Sequence, residues 1–181
     1  MMGNIFYLCG FMASGKSTIG PILANTLGCK FIDLDEKIEE REKKRITQIF
    51  SDKGEDYFRQ TETELLLEIA IGERLIISLG GGTLIKPENR DFIMSTGKLI
   101  FLKTSPRIAF ERLKYKKDRP VLINKEDDEV DEETYIKRIE ELMNERKDFY
   151  SIADFTFNTD NDSVGKTVDK IARVIRNSIN Q

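Results

Sequence analysis

The sequence predicts an α/β protein, a five-stranded parallel sheet flanked by helices. Three observations carry this prediction. Short apolar segments alternate with stretches of helical periodicity, the pattern of successive βα units. Gly10-Phe-Met-Ala-Ser-Gly15-Lys16-Ser17 stands between an apolar strand and a helix, the context in which such a glycine loop holds phosphate. Leu75–Leu79 (LIISL) is a continuous apolar run, which suits a strand buried on both faces.

The elements follow in order. Asn4–Cys9 (NIFYLC) reads as the first buried strand. Gly10–Ser17 leads into a helix that runs to about Leu27, where Gly28 closes it, because glycine readily takes the left-handed conformation that ends helices. Phe31–Leu34 is a second short strand and Asp35–Glu42 a charged helix. Gly54–Ala70 is a longer helix, with Phe58, Leu65, Leu66 and Ile69 as its apolar stripe. Leu75–Leu79 then runs into Gly80-Gly81-Gly82. Lys98–Leu102 is a fourth strand, Pro106–Leu113 a helix, Glu133–Lys147 another, Asp154–Phe157 a fifth strand and Val164–Ile179 the last helix. Lys114–Glu133 is dominated by charge. Such a segment buries little surface and reads as a solvated excursion or as a lid. There are no internal repeats and no low-complexity linker.

Composition bounds the chemistry. A chain of 181 residues is one domain's worth. Hydrophobic residues make up 39%, enough for a core. The 29 Lys+Arg and 32 Asp+Glu give a net charge of −3, which argues against a globally basic nucleic-acid binder. Histidine is absent. That excludes Ser-His-Asp triads, His-ligated metals and a histidine base, leaving carboxylate, Lys, Tyr or Cys for acid–base work. Two cysteines, Cys9 and Cys29, make neither a structural zinc site nor a disulfide framework. They read as packed thiols. No apolar run reaches the ~18 residues of a membrane span, and no basic residue precedes Ile5–Ala13 as a secretory signal requires. A soluble cytoplasmic protein is expected.

Within the loop, Gly10 and Gly15 allow the backbone to wrap a phosphate chain. The following helix adds its positive end. Lys16 supplies a charge to the β- and γ-phosphates, and the Ser17 hydroxyl suits Mg²⁺. Asp33 and Asp35 fall two apart at a strand end, so both carboxylates face one side. They are the candidates for the carboxylate that a Mg·nucleotide site needs near the metal, although Asp35 could instead cap the next helix. Three successive glycines at 80–82 imply that something approaches that backbone closely, or simply a tight turn. Arg146 continues the inward stripe of Ile136, Ile139 and Met143 and would suit an anionic ligand; a snorkelling arginine is the alternative. Arg59, beside Phe58, is by itself an ordinary surface arginine. Asn124-Lys-Glu-Asp127 and Asp162-Ser-Val-Gly165 spell GTPase-like strings in reversed order and read as coincidence.

Taken together, these motifs resemble the shikimate kinases, within the nucleoside-monophosphate-kinase-like P-loop fold. The ordered set is Gly10–Ser17, Phe31-Ile-Asp-Leu-Asp35, Ile49-Phe50, Gly54-Glu55 to Phe58-Arg59 and Glu62, Leu79–Gly82, Arg119-Pro-Val-Leu122, and Met143-Asn-Glu-Arg146 with Tyr150. The resemblance implies a three-layer P-loop kinase fold over 1–181, with a substrate-binding segment at about 33–61 and a mobile lid at about 114–130. It implies transfer of the ATP γ-phosphoryl group to the 3-hydroxyl of shikimate, with Mg²⁺, in aromatic amino-acid biosynthesis. By the same resemblance Gly10, Ala13, Ser14, Gly15, Lys16, Ser17 and Thr18 hold the nucleotide phosphates. Ser17 and Asp33 serve the metal, and Asp35 the attacking hydroxyl. Arg59 and Arg146 clamp the substrate carboxylate. Gly80, Gly81 and Gly82 approach the substrate, and Phe50 and Phe58 line its pocket. Arg119 reaches the transferred phosphate and Arg112 stacks on adenine. A monomer acting on ATP and shikimate, with no nucleic-acid or membrane partner, is implied. A gluconate-type kinase and a non-catalytic nucleotide module are the rival readings. Two positions depart from the family pattern: Ala13 stands where many members have glycine, and Lys147-Asp148 replaces a common Ala-Pro.

Overall fold

The structure, a computed structural model, describes residues 5–72, 74–114 and 131–179. Its strands are β1 (Ile5–Cys9), β2 (Lys30–Asp33), β3 (Leu75–Ser78), β4 (Gly97–Lys103) and β5 (Phe155–Asn158). Its helices are α1 (Lys16–Leu27), α2 (Leu34–Glu42), α3 (Ile46–Ile69), α4 (Pro87–Thr96), α5 (Pro106–Leu113), α6 (Glu132–Glu145), α7 (Lys147–Ser151) and α8 (Val164–Ile179), with a 3-10 turn at Thr83–Ile85. The sheet order is β2-β3-β1-β4-β5, and every neighbouring pair is parallel. The five-stranded parallel sheet expected from sequence is therefore present.

Alternation along β1 builds two cores. Ile5, Tyr7 and Cys9 face one layer, where Leu34, Ile38, Leu66 and Ile93 meet them. Phe6 and Leu8 face the other, against Leu23 of α1 and Ile171 and Ile175 of α8. All five residues of β1 are buried, which is why that strand reads as apolar throughout. In α8, Val168, Ile171, Ala172 and Ile175 fall on one stripe and are all buried. A third cluster of Phe11, Ala109, Leu113 and Ile139 holds α5 and α6 against the loop after β1.

Parallel pairing puts all five carboxyl ends on one edge. Asp33 and Ser78 pair there, as do Cys9 with Phe101 and Lys103 with Asn158. From β1 the chain crosses to β2 and β3 on one side, and from β3 it passes over β1 to β4 and β5 on the other. A crevice opens at such a switch point.

Four local features differ from the sequence reading. The third helix begins at Ile46, not Gly54, and Gly54 (φ 82°) is a kink inside it. The 3-10 turn and α4 have no counterpart in that reading. Only Asn89 and Ile93 of α4 are buried, so there is no apolar stripe to see. The helix expected at 133–147 breaks at Arg146 into α6 and α7. Asp33, not Asp35, caps α2. Among the described residues no helix is long and apolar enough to cross a membrane.

Candidate active site

The loop after β1 is shaped by positive backbone angles. Gly10 has φ 151° and Gly15, which starts α1, has φ 105°. A Cβ on Gly10 would lie 2.6 Å from both the Leu102 carbonyl oxygen and Ser14 Oγ. No side chain fits there. Ala13 also sits at positive φ, 62°. The chain therefore carries an alanine in the left-handed region, at a cost of roughly 1–2 kcal/mol. Lys16 bends back over the loop, and its Nζ donates to the Gly10 carbonyl (2.8 Å) and more weakly to that of Phe11 (3.4 Å). Ser17 and Thr18 are exposed at the helix start, while Ser14 is buried and its hydroxyl has no partner.

The loop floors a cleft of about 530 Å³, within the range of small-molecule sites. Ala13 to Thr18, Asp33, Asp35, Gly81, Arg112 and Arg146 all line it. Thus residues up to 133 positions apart in sequence meet at the carboxyl edge of the sheet (13 to 146). Gly10, Phe50, Phe58, Arg59, Gly80 and Gly82 do not line it, and Arg119 lies outside the described residues. The described lining carries three cations (Lys16, Arg112, Arg146) and four carboxylates (Asp33, Asp35, Glu111, Asp162). The cleft is thus of mixed charge.

The two aspartates divide their work. Asp33 ends β2, and its Oδ1 accepts from the backbone N–H of Asp35 (3.0 Å) and of Glu36 (3.4 Å). That cap frees Asp35 from capping and leaves it in the first turn of α2. An Oδ1 of Asp35 would lie 2.6 Å from a Cβ on Gly80.

The glycine run is the contact surface for three charged groups. A Cβ on Gly80 would strike Asp35, one on Gly81 would lie 3.0 Å from Arg146 Nη1, and one on Gly82 would lie 2.4 Å from Arg59 Nη2. The close approach implied by three glycines is therefore of side chains of this chain. Arg59 is fixed from several sides. Its Nη1 donates to Glu62 (2.9 Å) and its Nε to Glu55 (3.2 Å). Its guanidinium stands 5.1 Å from the Phe58 ring centroid and 6.0 Å from that of Phe50. Those rings pack together at 4.6 Å. Glu62 is fully buried and also accepts from Thr83 Oγ1 (2.7 Å). A buried carboxylate paired with one cation and hydrogen-bonded by one hydroxyl is the arrangement such burial requires.

Arg146 sits between α6 and α7, with its guanidinium 5.9 Å from the Phe11 ring centroid. It lies beside the buried Tyr150 hydroxyl, which it holds down electrostatically, yet that hydroxyl makes no hydrogen bond of good geometry. Burial dominates and pushes Tyr150 up to about 12. Tyr150 stacks on Phe101 at 4.6 Å. On the opposite side of the cleft, Arg112 donates to the Ala13 carbonyl (3.0 Å) and to the Thr159 carbonyl (2.6 Å). It thereby ties the glycine loop to the segment after β5.

Sequence reasoning missed that segment. Thr159, Asp162, Val164 and Thr167 form a wall of the cleft. The signal was available, since ligands bind outside the carboxyl ends of strands and β5 ends one residue earlier. Among the described residues, His, Cys, Asp and Glu form no group of three able to cage a metal. The donors at hand are oxygens, the Ser17 hydroxyl and the Asp33 carboxylate. They fit Mg²⁺, which takes one or two protein oxygens together with phosphates and water.

Comparison with known proteins gives a consistent result. The family model described as shikimate kinase matches residues 12–176. The shikimate kinase of Chlorobaculum tepidum is 43% identical over 176 residues, covering 97% of this chain and 92% of that protein. The crystal structure of shikimate kinase from Bacteroides thetaiotaomicron superimposes with a TM-score of 0.86 at 34% identity, covering 96% of this chain and 98% of that one. Shikimate kinase from Acinetobacter baumannii, solved in complex with shikimate, gives a TM-score of 0.86 at 29% identity, covering 97% and 94%.

Proposed function

This chain belongs to the shikimate kinase family, and we propose that its cleft transfers the γ-phosphoryl group of ATP to the 3-hydroxyl of shikimate as follows. The triphosphate lies over Gly10–Thr18, with Lys16 turning from its loop carbonyls to the β- and γ-phosphates. Ser17 and Asp33 hold Mg²⁺, which when bound offsets phosphate charge. The base packs against Arg112, on the side closed by Thr159.

The acceptor occupies the opposite half. Arg59 and Arg146 hold its carboxylate, and two arginines suit a planar anion because each can donate in a fork. Gly81 and Gly82 offer backbone N–H groups beside them, and Phe50 and Phe58 close the pocket. Asp35 orients the attacking hydroxyl and receives its proton. No histidine competes for that role. Phosphoryl transfer needs mainly alignment and charge stabilisation, and these residues supply both. Arg119, in the expected lid at about 114–130 and outside the described residues, would add a further cation; the expected substrate-binding segment is about 33–61. The enzyme acts as a monomer.

One observation carries this reading. Gly80, Gly81 and Gly82 lie in turn against Asp35, Arg146 and Arg59. A base and two anion-binding cations thus border one backbone stretch, the set that a carboxylated polyol needs. ADP release measured with shikimate, gluconate and nucleoside monophosphates under saturating MgATP tests it. Turnover with shikimate alone is expected; absence of turnover with shikimate refutes it.

A further inference from the structure

The 3-10 turn after the glycine run is held from behind by the start of α4. Asn89 is 1% exposed, and its Nδ2 donates to the Thr83 carbonyl at 2.9 Å. Its Oδ1 is buried and has no partner. An apolar side chain of similar size would leave no such orphan, so core packing does not explain the amide; its donor does. The next residue, Arg90, donates from Nη1 to the carbonyls of Leu84 (2.7 Å) and Ile85 (2.9 Å). The two side chains together hold three successive carbonyls of one turn.

That turn connects to both arginines of the acceptor site. On one side, Thr83 Oγ1 donates to Glu62, and Glu62 accepts from Arg59. On the other, the Arg90 guanidinium stands 5.3 Å from the ring centroid of Phe149 in α7. Arg146 caps the start of α7, and its carbonyl accepts from the Tyr150 N–H. The turn is thus linked to Arg59 through Glu62 and to α7, which follows Arg146, through Phe149.

We propose that Asn89 and Arg90 are positioning residues that set the spacing of Arg59 and Arg146, and with it the affinity for the anionic acceptor; this rests on the acceptor site described under Proposed function. Neither residue lines the nucleotide side of the cleft, so the effect falls on one substrate.

The test compares the wild-type chain with Asn89→Leu and Arg90→Lys. The first is nearly isosteric and removes the donor together with its orphan oxygen. The second keeps a positive charge and removes the planar guanidinium whose Nη1 serves both carbonyls. KM for shikimate, KM for ATP, kcat and thermal midpoint are measured for each. The expected result is a rise in shikimate KM of about tenfold, the scale of a small misplacement, with ATP KM within about twofold of wild type. If shikimate KM is unchanged, or both KM values rise together as the midpoint falls, the proposal is overturned. Should Asn89→Leu fail to fold, Arg90→Lys decides by the same criteria. A wild-type chain without turnover on shikimate would overturn the reading of the acceptor site, and this inference with it.

Discussion

Gly82→Ala probes the acceptor site through a single methyl group. Gly82 has φ −113° and ψ −1°, a conformation open to alanine, so the backbone itself resists nothing. The new Cβ would lie 2.4, 2.5 and 2.6 Å from Nη2, Nη1 and Cζ of Arg59. Ordinary contact begins at 3.4 Å, so the guanidinium must retreat by about 1.0 Å (3.4 − 2.4). Arginine ends are flexible, but this one is held by Glu62 at 2.9 Å, and Glu62 is itself fully buried. Retreat therefore strains or breaks a charge-assisted bond worth about 1.5–3 kcal/mol. Expressed as binding of an anion that needs Arg59 in place, this is roughly a tenfold to hundredfold rise in shikimate KM. ATP KM stays within about twofold, because the clash lies on the acceptor side. Gly81→Ala, with 3.0 Å to Arg146 Nη1, calls for a retreat of only about 0.4 Å and serves as the milder companion. Steady-state kinetics with each substrate varied separately measures both. An unchanged shikimate KM in Gly82→Ala, or a larger effect at Gly81 than at Gly82, would show that the position of Arg59 does not govern acceptor binding.

The remaining predictions address catalysis, anchoring and pH. Asp35→Asn is expected to keep ATP binding by calorimetry and to lose at least about 100-fold in kcat, in the range attributed to a general base; a near-wild-type rate would remove Asp35 from the mechanism. Arg146→Ala should raise shikimate KM by at least about tenfold, and unchanged kinetics would make Arg146 a solvated helix-end arginine. Burial pushes the Cys9 thiol up to about 12. The unfolded chain thus loses this proton near pH 9 while the folded one keeps it, so stability falls as pH rises from 9 towards 12. Tyr150, raised from 10 to about 12, adds a loss of the same sign above pH 10. Urea midpoints at pH 8, 9 and 10 should fall less steeply in Cys9→Ala, with Cys29 sharing that window because burial raises it too; an unaltered slope would contradict the assignment.

Much of the fold is legible because its signals are local. Gly10–Ser17 is a continuous motif, and β1 and β3 are apolar on both faces, so motif and strands are readable from adjacent residues. The start of the third helix is not, because Gly54 looks like a boundary and is a kink. Helix α4 escapes for a different reason: its inner face carries a polar Asn89 beside Ile93, and the asparagine is explained only by a carbonyl six residues earlier. Arg146 is found by periodicity although the helix breaks there, since the break still leaves the guanidinium beside Gly81. The pairing of Asp33 and Asp35 by strand geometry is right about the edge and wrong about the local structure, because β2 ends at Asp33 and a helix begins. The net charge of the whole chain is no guide to the cleft, whose described cations and carboxylates come from distant segments. The resemblance stated from sequence supplied what local physics could not, the identity of the acceptor.

The proposed reaction is phosphorylation of shikimate at its 3-hydroxyl. Phosphorus and proton NMR of the product formed from shikimate and MgATP tests it directly. A single phosphate monoester on O3, formed together with ADP, is the predicted result. ATP hydrolysis without phosphorylated shikimate, or a phosphate on another hydroxyl, would contradict the account.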